Sequence, residues 1–94
     1  MNSEKTQRES RNGPNQSLTG YELVLHNDDV HCFEYVIESL TTICEHTPDQ
    51  AMQCTLIAHH KGCCTVRSGD MELLQPMKEA LTERKLTVTI NVKS

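Results

Sequence analysis

The apolar residues change their spacing once, and sharply, inside the stretch Tyr21 to Leu40, YELVLHNDDVHCFEYVIESL. The first six residues alternate like a half-buried strand, with Tyr21, Leu23 and Leu25 on one side. A polar break, Asn27-Asp28-Asp29, ends that pattern. Phe33, Val36, Ile37 and Leu40 then recur at helical spacing. A strand that stops at three clustered oxygen-bearing side chains and leads into an amphipathic helix is a common way to present acceptors at the mouth of a pocket. Taken alone, however, Asn-Asp-Asp is most often a turn with a helix cap. All three aromatic residues, Tyr21, Phe33 and Tyr35, lie in this stretch.

The remaining elements come from the same spacing rules. The first strand is Tyr21 to His26, and the helix after it runs from about His31 to Glu45, with Glu34 and Glu38 on its exposed face. Thr47-Pro48-Asp49-Gln50 is a helix start: Thr47 caps, Pro48 suits the first helical position, and Gln50 completes a capping box. That second helix extends to about His60 and stops at Lys61-Gly62, with Gly62 as the residue that ends it. Cys63 to Arg67 reads as a short strand with interleaved apolar and polar residues. A third helix from about Asp70 to Arg84 turns Leu73, Leu74, Met77, Ala80 and Leu81 inward, and Pro76 marks a late start or a kink. Leu86 to Val92 alternates strictly and closes the chain as a strand. The order β-α-α-β-α-β predicts an α+β fold, a small sandwich of a three-stranded antiparallel sheet with three helices packed on one face.

Charge and composition exclude more than they assign. Residues 1–20 hold three basic and two acidic side chains, and Met1 and Leu18 are their only apolar residues; such a segment is expected to be a disordered tail. It is either a leader or an extension that another machine grips. Residues 21–94 form the single folded domain, with six basic and eleven acidic side chains. With no Lys/Arg cluster and few aromatics, this domain is not expected to bind nucleic acid. No apolar run nears the ~20 residues that span a bilayer, so no membrane association is expected. The five cysteines (Cys32, Cys44, Cys54, Cys63, Cys64) are odd in number and no signal peptide precedes them, which fits the reducing cytoplasm.

Two chemistries are open to the end of the second helix and the strand after it. His59-His60-x-x-Cys63-Cys64 invites a metal or thiol centre, either a zinc site or a Cys–His pair drawn from Cys32 with His31 or His59. Structural zinc needs four converging ligands, and this run has no second half to supply them. Adjacent strand cysteines also point to opposite faces. For a thiol enzyme, no oxyanion donor or orienting group is identifiable. No metal or other cofactor is therefore expected. The other possibility is a binding site: Thr55, Ala58 and His59 lie at i, i+3 and i+4 and share one helical face.

Leu25-x-Asn27-Asp28-Asp29, then Phe33-Glu34-Tyr35-Val36, then His59-x-x-Gly62 together resemble the ClpS adaptor family, with Asn27 and His59 at the family spacing of 32 positions. The resemblance covers residues 21–67 well and weakens toward Val92. It implies a non-enzymatic, cytoplasmic, monomeric adaptor that reads N-degrons, protein N-termini with a bulky apolar first residue. It would deliver them to a hexameric Clp AAA+ unfoldase (ClpA or ClpC type) coupled to the ClpP peptidase. Asn27, Asp28 and His59 match the residues that bind the terminal amine, and Leu25, Phe33, Val36, Thr55 and Ala58 match the lining of the side-chain pocket. The resemblance also implies that the unfoldase engages the N-terminal extension during delivery. Phe33 and Thr55 stand where many members have methionine, the third helix is shorter than usual, and the lysine offered to the unfoldase aligns with either Gln75 or Lys78.

Overall fold

The computed structural model describes residues 20–93, so the expected disorder of the tail falls on residues outside the described ones. The elements run β1 (Tyr21–His26), α1 (Phe33–Ile43), α2 (Pro48–Lys61), β2 (Cys63–Gly69), α3 (Met71–Glu83) and β3 (Val88–Val92). β1 is the central strand of an antiparallel sheet ordered β2-β1-β3. This is the expected α+β order. The core joins Leu23 and Leu25 of β1 to Val36, Leu40 and Cys44 of the α1 segment, Ala51 and Ala58 of α2, Leu74 and Leu81 of α3, and Val66, Leu86 and Val88.

Local chemistry sets the ends of α2. Gln50 N–H donates to the Thr47 hydroxyl at 3.2 Å and Thr47 N–H donates to Gln50 Oε1 at 3.0 Å, closing the capping box with Pro48 in the first turn. At the other end Gly62 takes φ +98° and its N–H donates to the Ala58 carbonyl at 2.9 Å. Helix α1 begins two residues later than expected, after Cys32, whose side chain makes no cap bond. α3 starts at Met71 with Asp70 accepting from Leu73 N–H at 2.9 Å. It runs through Pro76, so the late start does not occur. The missing N–H there leaves the Glu72 carbonyl without its helical donor.

Three details depart from simple periodicity. Leu73 does not face inward; it is exposed and lies back over the end of β2, where its Cδ2 would sit 2.8 Å from a Cβ placed on Gly69. Val24 is buried although it faces away from Leu23 and Leu25, because Thr65 and Thr89 flank it on the neighbouring strands. The β1–β2 register also slips between Leu23 and Val24, which leaves Val66 as an extra residue on β2. Val66 then joins the core, and Arg67 also reaches the helical layer, donating to the Cys44 carbonyl at 2.9 Å. Strict alternation would have separated those two side chains.

Gly62→Ala isolates the cost of the α2 ending. A Cβ there meets nothing within 4 Å, so only the left-handed backbone is penalised. Urea unfolding should show a loss of about 1 kcal/mol, the strain of an L-residue at positive φ partly offset by a less flexible unfolded chain. An unchanged midpoint would mean that the helix end can rearrange.

Candidate functional site

Where β1 ends, two backbone bonds hold it in place. His26 N–H donates to the Thr87 carbonyl and Asn27 N–H to the Gly62 carbonyl, each at 2.9 Å. The second bond brings the last turn of α2, with His59, up to the polar break after β1. The start of α1 packs alongside, and the three segments line a pocket that opens to solvent. Its lining includes Leu25, Asn27, Asp28, Phe33, Val36, Thr55, Ala58 and His59, so all eight residues singled out from the sequence meet there.

The pocket has an apolar floor and a polar rim. Leu25, Val36, Thr55 and Ala58 are all buried. The Thr55 hydroxyl donates to the Ala51 carbonyl at 2.8 Å, so its only proton is engaged within the helix. Phe33 stands at the rim, 39% exposed, with its ring edge-on to His59 at 5.3 Å between centroids. His59 also meets His60 edge-on at 5.2 Å, and both are exposed. The Asn27 amide nitrogen lies 3.4 Å from Asp29 Oδ1, which directs the donor end of that amide toward Asp29.

Asp28 is the most constrained group in the site. Its Oδ1 accepts from the N–H groups of Val30 at 2.7 Å and His31 at 3.0 Å, and its Oδ2 is bonded to Nδ1 of His31. Burial would push the carboxyl pKa up. The His31 side-chain bond, the two backbone donors and the His31 charge outweigh it and hold the pKa below the usual 3.8.

His26 and His31 also line the pocket, where the sequence pattern did not place them; His31 was considered there only as a thiol partner of Cys32. His26 Nε2 is hydrogen-bonded to the Thr89 hydroxyl at 2.9 Å, on the open side of the sheet. For His31 a signal existed: it lies three residues after Asp28 and four before Tyr35, the two side chains it touches.

A family model described as "ATP-dependent Clp protease adaptor protein ClpS" matches residues 16–89. The chain belongs to the ClpS family. A ClpS adapter of Gloeobacter violaceus is 37% identical over 70 residues, covering 73% of this chain and 75% of that protein. A second ClpS adapter, from Nitratidesulfovibrio vulgaris, is 38% identical over 42 residues, 45% of this chain and 42% of that protein. The structure of Agrobacterium tumefaciens ClpS2 bound to L-phenylalaninamide superposes with a TM-score of 0.75 at 23% identity. It covers 81% of this chain and 99% of that one, and shows the shared fold.

In this ClpS-family chain the rival centre at His59, His60, Cys63 and Cys64 finds no support. Among the described residues no three His, Cys, Asp or Glu side chains converge as metal ligands would. Burial and the neighbouring Cys54 and Cys63 push the Cys64 thiol up to about 12, and burial takes Cys44 to about 11 despite Arg67. Neither is the activated thiolate that nucleophilic catalysis needs. No helix among the described residues is long and apolar enough to cross a membrane.

The Asp28 pKa sets a pH signature. A carboxyl depressed in the folded state adds stability that is present above 3.8 and is lost as pH falls through the folded value. Asp28→Asn should therefore lower the melting temperature near neutrality, and its gap from wild type should close in acid, as the pH falls below 3.8 and through the depressed folded-state value. A gap that persists undiminished in acid would show that shape, not charge, made the difference.

Proposed function

We propose that this chain captures protein N-termini that begin with a large apolar residue and delivers them to a hexameric Clp AAA+ unfoldase of the ClpA or ClpC type, coupled to ClpP. The observation that carries this reading is one pocket whose buried apolar floor opens onto Asn27, Asp28 and His59. An α-amino group has a reference pKa of about 7.7–8.0 and is mostly cationic. Its three donors need acceptors once desolvated. The Asn27 amide oxygen and a His59 ring nitrogen accept two, and the Asp28 carboxylate takes the third and supplies the opposing charge. The first side chain enters the space bounded by Leu25, Phe33, Val36, Thr55 and Ala58. Support also comes from the phenylalaninamide bound to the Agrobacterium ClpS2, a free amine beside an aromatic side chain.

On this reading the protein is a monomeric cytoplasmic adaptor that does no chemistry itself, and its N-terminal segment is engaged by the unfoldase. Docking falls to α3, where Gln75 is exposed and within 3.2 Å of Glu79, and Lys78 is half-buried.

The free amine gives the direct test. Acetylating it removes the charge and two of three donors, and losing one partner of a buried charged hydrogen bond costs about 2–5 kcal/mol. A Phe- or Leu-first peptide should bind at least tenfold more tightly than its N-acetylated twin in a calorimetric titration. Equal affinities would overturn the reading.

Phe33 sets a second expectation. A first residue branched at Cβ carries bulk close to its own α-carbon, near the ring at the rim, whereas Leu and Phe branch further out. Overpacking of this kind costs about 1–3 kcal/mol. Wild type should thus bind Leu-first peptides and exclude Ile- and Val-first ones, while Phe33→Ala admits them and still requires the free amine. Equal binding of Ile-first and Leu-first peptides by wild type would remove the gate.

A further inference from the structure

An ionised carboxylate offers about four acceptor positions. The fold uses three of those on Asp28: two on Oδ1, for the N–H groups of Val30 and His31, and one on Oδ2, for Nδ1 of His31. Carboxylate oxygens only accept, so Nδ1 carries the proton of the last bond and the orientation of the ring is set. The imidazole is restrained a second time, because it stacks on Tyr35 with centroids 4.8 Å apart and planes 16° from parallel. Tyr35 is itself anchored: its hydroxyl donates to the Arg84 carbonyl at 2.9 Å, at the end of α3. The Arg84 guanidinium then donates to the Ser39 hydroxyl at 3.1 Å, back on α1. A chain of contacts thus runs from the α1–α3 interface to the carboxylate at the pocket rim.

We propose that His31 is a positioning residue for the amine site: it fixes the Asp28 carboxylate before a ligand arrives and leaves one acceptor position on Oδ2 open for the α-ammonium. This rests on the pocket being an N-terminus site. Ordering a side chain during binding costs affinity, so a carboxylate already fixed discriminates more strongly for the same contact. His31 also has a fitting location. It lines both the pocket and the adjoining groove bounded by Asp29, Val30, Lys85 and Thr87, and so forms part of the wall between them.

The test uses the full chain, a Phe-first peptide and its N-acetylated twin. His31→Ala should weaken the free-amine peptide roughly five- to tenfold and leave the acetylated one unchanged, so that the ratio between them shrinks. His31→Asn, whose amide nitrogen can occupy the position of Nδ1, should restore most of the ratio. His31→Leu keeps bulk over Tyr35 without a donor and should behave like Ala, which covers the case of an Ala variant that does not fold. Equal weakening of both peptides would reduce His31 to packing and overturn the proposal. Tighter free-amine binding by His31→Ala would also overturn it, since His31 would then be a competitor for Asp28. A wild-type protein that fails to separate the two peptides would bring down the N-terminus reading itself, a failure seen before any variant is made.

Discussion

The hydrogen bond from Asn27 N–H to the Gly62 carbonyl ties together two segments that the chain keeps far apart. It forms because α2 ends in a left-handed turn at Gly62 and β2 begins at the next residue, where Cys63 pairs with His26. The end of β1, the end of α2 and the start of β2 therefore meet at one point. Everything at the pocket rim inherits its position from that junction. Asn27 and Asp28 continue from β1, His59 sits one turn before Gly62, and the loop to α1 has only the residues from Asn27 to Cys32 in which to reach Phe33.

The pocket floor is not separate from the folding core. Leu25, Val36 and Ala58 belong to the same cluster as Leu23, Leu40 and Leu81. The floor is thus held at the rigidity of a packed interior, where a removed methylene is felt by its neighbours. The rim is built differently. Asn27, Phe33 and His59 are all at least partly exposed, and none belongs to the packed core cluster. Stability and the proposed recognition therefore weigh differently at the two ends of the pocket: changes to the floor confuse binding with folding more than changes to Asn27 and His59 do. Asp28 bridges the two, being held by the fold while standing at the rim.

The fold was legible where one residue type has one physical use. The capping box of Thr47 and Gln50 and the ending at Gly62 are local devices, and both were readable from sequence alone. So was the switch of period between β1 and α1. What could not be read involves partners set by the third dimension. Nothing in CCTVRSG announces that β2 takes an extra residue opposite Leu23 and Val24, yet that slip decides the side on which Arg67 lies. Leu73 fits the helical stripe of α3, but the absent side chain of Gly69 opens another place for it. At the site, all eight residues line one pocket because the end of β1, the start of α1 and the last turns of α2 meet there, and each of those element ends was readable from the residue pattern. His31 escaped because its type, three residues after an Asp, has many ordinary uses.

The two ends of the pocket also act as separate filters on the proposed ligand. The amine filter is electrostatic: it depends on one carboxylate, its charge and the acceptors beside it. The side-chain filter depends on desolvation and shape. The floor contains no ionisable group, and the Thr55 proton is engaged by Ala51. A cationic first side chain that entered would find no carboxylate there and would lose its hydration without a partner, which is costly in an apolar site. A small side chain would leave the floor unfilled and forfeit the transfer free energy of about 25 cal/mol per Å² of apolar surface. Neither filter is sufficient alone, since free amines are common and apolar side chains abound. Lining one pocket, at a junction fixed by a backbone bond, they require both features to belong to the same terminal residue.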